Sequence, residues 1–541
     1  MKAKAIKQIP MDLLLVNGPI YTMKSEGEKI ETLGIKGGKI IYAGDRDSLD
    51  LSLVEEIIDL KGKAVLPGLG DSHLHLYAYC QSLTSVGLEE ARSIDDLMAI
   101  MKKEIMNTPP GLWVKGVGFD QTKFRENRLP TRQDLDKISQ ENPIVVRRCC
   151  LHMLTANSLA IEMAKITPKE LEEFGDLIEK DENGNLSGVF RERSTIIFDD
   201  IIPDTLKDPK IRRTIFNGVL KDMSARGMTC IHTYAAQIWN YEEDINNYLE
   251  LDRENLLPLR VTVNLDEFWI PEDESSSKED PFNKVELGAY KIFTDGSLGA
   301  RSAALFEDYS DEPGTRGIIG PSQELRKKIE EAVGRGLQCA IHAIGDRAME
   351  ETLDAIDWVL EKGKPKNPLP FRVIHAQMVT DRQRERMKNM PLILDIQPVF
   401  LCTDLYWIKD RLGPERMKYS YIWKTLMDQG LLMTGGSDCP VETYDPLKGI
   451  HAAVNRQDID GNPEGGFMAK EKLSLYQAFC LFTKNIHYAT GNQDNLGTLE
   501  RGKFGDFVVF RQDPFTIDPE DILKLEVDMT YLAGKKVFEK E

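Results

Sequence analysis

Three observations predict an α/β protein, a (β/α)8 TIM barrel with an inserted lid domain and a small β-sandwich domain built from both chain termini. Eight short apolar runs recur through the middle of the chain, amphipathic helical segments separate most of them, and both ends are rich in short β-branched segments and turns. Strand and helix in alternation imply a parallel sheet, and eight strands close a barrel. A length of 541 residues suits one large barrel with insertions, and 41% hydrophobic residues can bury a sizeable core.

In chain order, "DLLLVNGPIYTM", "ETLGIKGGKIIYAGD" and "KGKAVLPG" read as strands set off by Asn-Gly, Gly-Gly and Lys-Gly turns. The closing stretch, "LGTLERGKFGDFVVFRQDPF" and "VDMTYLAGKKVFEKE", reads the same way. Residues 1–66 and 490–541 are therefore expected to fold together. The barrel is expected over 67–489, on the runs "AVLPGLGDSHLH", "MTCIHTYA", "LRVTVNL", "AYKIFTDGS", "LQCAIHAIGD", "FRVIHAQ", "LILDIQPVF" and "LLMTGGSD". Segments such as "ELRKKIEEAVGRG" and "AMEETLDAIDWVLEKG" supply the helices. The interval between the first two runs is too long for one crossover and holds strand-like pieces of its own, "LWVKGVGFD" and "PIVVRRCC". An insertion is placed there, at about 77–215. "EDESSSKED", 272–280, reads as a polar surface loop, and no internal repeat stands out.

Composition excludes several functions. The net charge is −19 and the basic residues form no long run, which argues against nucleic-acid binding. The apolar run "LLLV" near the start is too short for a signal peptide, and no window reaches the roughly 18 apolar residues of a membrane helix. A cytoplasmic protein with no membrane partner is expected. Eight cysteines form no C-x-x-C pair and read as reduced core residues, and a vicinal bridge between Cys149 and Cys150 would be strained. Neither a phosphate-binding glycine loop nor a G-x-S-x-G elbow is found.

Ionisable residues fall at or near the C-terminal ends of the apolar runs. His73 and His75 end the first, Lys291 lies in the fourth, and His342, His375 and Asp438 end the fifth, sixth and eighth. In a barrel these ends converge on the face where active sites sit. The two-residue period puts His73 and His75 on one side of their strand, where two imidazoles can share a metal. Four histidines and an aspartate exceed what one catalytic ion needs. Two ions fit the count if something anionic bridges them, while a buried lysine is costly unless neutralised or modified.

The stretches "LPGLGDSHLH", "KIFTDGSLGARSAAL", "IHAIGDRA", "VIHAQ", "GGSDCPVE" and "LGTLERGKFGDFVVF" resemble the amidohydrolase superfamily, in the amidohydrolase-3 branch that contains N-substituted formamide deformylases. The resemblance runs from about residue 12 to 535. It implies two divalent metal ions, zinc being expected. His73, His75 and Asp438 would hold one and His342 and His375 the other, with Lys291 carboxylated by CO2 as the bridge. A hydroxide shared by the metals would attack the substrate, and Asp438 would take its proton and pass it to the leaving amine.

The same resemblance sets His152 in a lid facing the substrate and "GVGFDQ", with Phe119, Asp120 and Gln121, near it. His232 could line the pocket or be core. Glu192 and Arg301 are further substrate-binding candidates, each equally able to serve a structural ion pair. His451 and His487, in helix-like segments, read as structural. The expected activity is hydrolysis of a C–N bond, in an amide or N-acyl small molecule. The alternatives are a mononuclear deaminase, a cyclic-amide or ester hydrolase on the same barrel, and an inactive scaffold or ligand-binding protein. A homodimer is compatible with this reading.

Overall fold

The structure, a computed structural model, describes residues 10–46, 49–150, 152–199, 201–234, 241–265, 283–363 and 365–541. The loop expected at 272–280 lies outside the described residues. The chain divides into two compact units, one of Met1–His75 with Asn217–Glu541 and one of Leu76–Phe216.

The first unit contains an eight-stranded sheet of β1 (Leu69–Leu74), β2 (Met228–Tyr234), β3 (Arg260–Leu265), β4 (Val285–Phe293), β5 (Cys339–Ala343), β6 (Phe371–His375), β7 (Leu392–Ile396) and β8 (Met433–Gly435). Every ladder is parallel and the strands lie in chain order. The seam between β8 and β1 is closed just past the strands, where Asp438 N donates to His73 O at 2.7 Å and His75 N to Cys439 O at 2.7 Å. Their run of apolar residues follows from burial on both faces. The helix Asp346–Lys362 shows how the outer layer forms. Ala348, Thr352, Ala355, Ile356 and Val359 make one buried stripe, and the helix stops at Gly363, whose φ of 146° suits glycine. Each fully buried Leu or Ile of this kind is worth about 1.5–3 kcal/mol.

The same unit carries two terminal sheets. One has the order Lys39–Gly44, Thr32–Lys36, Met11–Val16, Val54–Asp59. The other runs Lys535–Glu539, Val527–Leu532, Phe507–Phe510, Ala64–Pro67, Ile20–Tyr21, Lys29–Ile30, so three strands from the C-terminal end join three from the N-terminal end in one sheet, through the antiparallel pairing of Phe507–Phe510 with Ala64–Pro67. Leu13, Leu15, Leu33 and Ile35 of the first meet Ile20, Val65, Phe507 and Val509 of the second in one buried cluster, the core of a β-sandwich.

The second unit is built on a six-stranded sheet, in the order Ile178–Lys180, Leu186–Arg191, Met153–Ala156, Ile144–Arg148, Val114–Phe119, Val86–Gly87. Adjacent residues of one strand serve opposite cores. Val146 packs with Leu97, Met101 and Phe119, and Val145 packs with Leu154, Phe190 and Phe198.

Candidate metal centre

The C-terminal ends of the barrel strands bring together most of the ligand-type residues expected from the sequence. His73 Nε2 and His75 Nε2 stand 3.1 and 3.2 Å from the same oxygen, Asp438 Oδ1. Among the described residues these three form the one group of three or more His, Cys, Asp or Glu whose ligand atoms all lie within 4.8 Å of one another. The His375 ring lies 5.6 Å from His73 and 4.5 Å from His342, centroid to centroid. Lys291 Nζ is buried over the rings of Tyr234 and Phe293, at 4.8 and 4.9 Å.

Two observations test whether a metal fits here. Ligand atoms around a tetrahedral ion with bonds of about 2.0–2.1 Å stand about 3.3 Å apart. The separations of 3.1 and 3.2 Å agree with such an edge. Moreover, the fully buried His73 makes no hydrogen bond from either ring nitrogen. A buried ring nitrogen that makes no hydrogen bond is costly, and an ion beside Nε2 would remove that cost at Nε2. Both observations fit a metal at His73, His75 and Asp438.

The protonation states suit the same role. Burial pushes the His73 and His375 imidazoles well below their usual pKa, aided at His73 by Lys291 and at His375 by His342, so both are neutral. Burial by itself would raise the Asp438 carboxyl, but the imidazoles beside it hold it well below the usual carboxylate range. His375 Nδ1 is bonded to Gln397 Oε1 at 2.7 Å, which leaves Nε2 available to a ligand. His342 Nε2 lies 3.1 Å from Gly296 O and 3.3 Å from Asp295 Oδ1, which leaves Nδ1. Asp295, a candidate partner for an unmodified Lys291, already accepts backbone N–H groups from Ala304, Ile344 and Gly345 at 2.8, 3.1 and 2.9 Å.

Local backbone geometry aims these side chains. Arg372 and Ile374 face the barrel interior. Ile374 clusters there with Tyr234, Ala289 and Ala340, and Arg372 reaches Ser72 O across the barrel. Strand alternation would then turn His375 outward. Its φ of +71° reverses the chain and brings the ring to the site. Asp438 sits at φ +57° in the same left-handed region. Strained non-glycine residues of this kind cluster at functional sites.

The remaining candidates lie apart in the chain. His232 is buried on β2 and its Nδ1 has no hydrogen-bond partner. Arg301 is engaged by Asp311 at 2.9 Å and Glu312 at 3.1 Å. In the second unit, His152 Nδ1 meets Glu192 Oε2 at 2.7 Å, and Glu192 has a φ of +49°. Phe119 is fully buried in the core of that unit. Asp120 and Gln121 grip Arg148, at 2.9 and 2.7 Å. None of the eight cysteines is in a disulfide among the described residues, and His451 and His487 lie in helices. Among the described residues no helix is long and apolar enough to cross a membrane.

Sequence reasoning passed over Tyr234, Gln397 and the pair Arg372–Asp395. Tyr234 stacks beside His73 at 4.3 Å, and its position two residues after His232 on one strand was the available signal. Gln397 lies in the short polar step that ends "LILDIQP".

Comparison with known proteins agrees with this architecture. The sequence profile of the amidohydrolase family matches residues 56–538. Protein YtcJ of Bacillus subtilis (strain 168) is 33% identical over 532 residues, covering 97% of this chain and 98% of YtcJ. The N-substituted formamide deformylase of Arthrobacter pascens is 24% identical over 549 residues, 98% of each chain. The crystal structure of an uncharacterized metal-dependent hydrolase from Pyrococcus horikoshii OT3 superposes with a TM-score of 0.75 at 30% identity, over 94% of this chain and 99% of that one. The chain belongs to the amidohydrolase family.

Proposed function

We propose that this protein is a metal-dependent hydrolase of a carbon–nitrogen bond, acting on an amide or N-acyl small molecule. The observation that carries this reading is the convergence of His73, His75 and Asp438 on one point, with His342, His375 and Lys291 on neighbouring strand ends. The likeness to a formamide deformylase along the whole chain supports the choice of bond. Two divalent ions, zinc in our reading, would be held by these six residues, with Lys291 as a carbamate between them. Bound there, the ions would polarise the scissile carbonyl and lower the pKa of water.

The chain's own residues supply the remaining steps. Asp438, ionised and beside both imidazoles, is placed to accept the proton of the attacking water at a carboxylate oxygen. The same oxygen then returns it to the leaving nitrogen, because an amine departs readily only when protonated. The neutral state of His73 and His375 keeps their ring lone pairs available as ligands. Tyr234, Ala289, Ala340 and Ile374 form an apolar floor that keeps bulk water out of the barrel below the site.

One observation favours a second reading. Only the trio around Asp438 forms a compact ligand group among the described residues, as a mononuclear deaminase would have it. Metal content separates the two. Protein purified without chelator should carry about two zinc-class ions per chain. Lys291→Ala should lower that number and abolish most turnover on N-formyl and N-acyl amines, with partial rescue by added short carboxylic acids. One ion per chain in the wild type, unaltered in Lys291→Ala, would put the mononuclear reading first.

A further inference from the structure

Beneath the site lies an ion pair that the chemistry above does not use. Arg372 on β6 and Asp395 on β7 have side chains 0% exposed. Arg372 Nε and Nη2 stand 2.7 and 2.5 Å from Asp395 Oδ2. Thr434 of β8 donates to the other Asp395 oxygen, and Arg372 Nη1 reaches Asn264 Oδ1 of β3 at 3.5 Å. Full burial of two charges is expensive, and a well-packed apolar pair would often hold a barrel as well. The pair calls for another reason.

That reason lies in the second bond of Arg372 Nη2, which goes to Ser72 O at 2.7 Å. The ladder between β1 and β2 is irregular at this point. Asp71 pairs with Ile231 and Leu74 with Thr233, so three steps on β1 oppose two on β2. Ser72 and His73 occupy this bulge. A bulge re-aims a side chain and takes a residue out of the ladder. Arg372 satisfies the carbonyl of the peptide that leads into His73, the ligand whose ring nitrogens make no hydrogen bond.

We propose that Arg372 is a positioning residue of the metal centre. Its guanidinium, oriented by Asp395, pins the β1 bulge and so fixes where His73 points. The inference rests on the metal-centre reading above and adds to it a residue that touches neither metal nor substrate.

The test measures metal binding as well as turnover. Zinc affinity by chelator competition, and the visible spectrum of the cobalt-loaded protein, are compared in wild type, Arg372→Lys and the double variant Arg372→Met with Asp395→Leu. The double variant removes both charges and refills their volume, so it tests the pair without leaving a lone buried charge. A folded double variant whose zinc affinity falls about 10–100-fold, with a changed cobalt spectrum, supports the positioning role. Arg372→Lys keeps the charge but not the fork that spans Asp395 and Ser72 O, so it should recover only part of the affinity. Wild-type affinity and spectrum in the folded double variant would overturn the inference. If the double variant does not fold, Arg372→Lys decides alone: wild-type zinc affinity in it overturns the inference, and weakened affinity with unchanged urea stability supports it. A wild-type chain that binds neither ion overturns the proposed function, and the inference falls with it.

Discussion

At Asp438 two demands meet in one residue. Its carboxylate must reach His73 and His75, and its backbone must turn at a φ of +57° to close the barrel seam. A non-glycine residue there costs on the order of 1–3 kcal/mol, held in place by the bonds from Asp438 N to His73 O at 2.7 Å and from Val441 N to Asp438 O at 2.9 Å. Asparagine tolerates the left-handed region and matches aspartate in size, so Asp438→Asn should fold normally while losing the proton carrier. Turnover should fall about 10²–10⁴-fold, with the urea midpoint close to wild type. Steady-state rates and a denaturation curve on one preparation check both halves. Turnover near that of the wild type would remove Asp438 from the mechanism.

Among the elements, the contact between β8 and β1 bears most directly on the site, because Asp438 and His73 face each other across it. Gly436, just past β8, makes the approach possible. A Cβ there would lie 2.7 Å from His73 N and 2.9 Å from His73 Cβ. Since the first of these is backbone, Gly436→Ala should force the seam apart, at a cost of about 1–3 kcal/mol and with weaker metal binding. A urea midpoint and zinc affinity equal to wild type would show that the seam has slack. The barrel strands themselves were readable in the chain, because eight apolar runs separated by helical segments have few other solutions. Period two also puts His342 on the interior face of its strand with Ala340. It fails at His375, where Arg372 and Ile374 take the interior positions and only the +71° φ turns the ring inward. Nothing local in "FRVIH" announces that turn. Nor does it announce that Arg372 finds Asp395 23 residues later and Ser72 300 residues earlier, because such pairings exist only once the barrel has closed.

For the molecule as a whole, burial of imidazole is the feature most exposed to pH. His73, His232, His375 and His487 are all pushed down by burial, so the folded chain keeps them neutral where the unfolded chain would charge them. His487 isolates the effect, because it sits in the helix Lys484–Thr490 outside the set of expected ligands. Burial lowers its pKa to about 3 against 6.5 for a free histidine, and its Nε2 lies 3.9 Å from Cys230 Sγ. Below pH 6.5 the unfolded chain therefore binds a proton that the folded chain refuses. The sign follows directly: stability is full above about 6.5 and drains away as the pH falls towards 3. At pH 5 the loss from this one residue is on the order of 2 kcal/mol. Glutamine cannot titrate, so His487→Gln should flatten the dependence of the urea midpoint on pH between 7.5 and 5, whatever it does to the midpoint at pH 7.5. The other buried histidines are the same in both proteins, and any metal lost on acidification is lost by both. The difference in slope therefore reports His487 alone, and parallel curves would mean that this imidazole is protonated in the folded chain as easily as in the unfolded one.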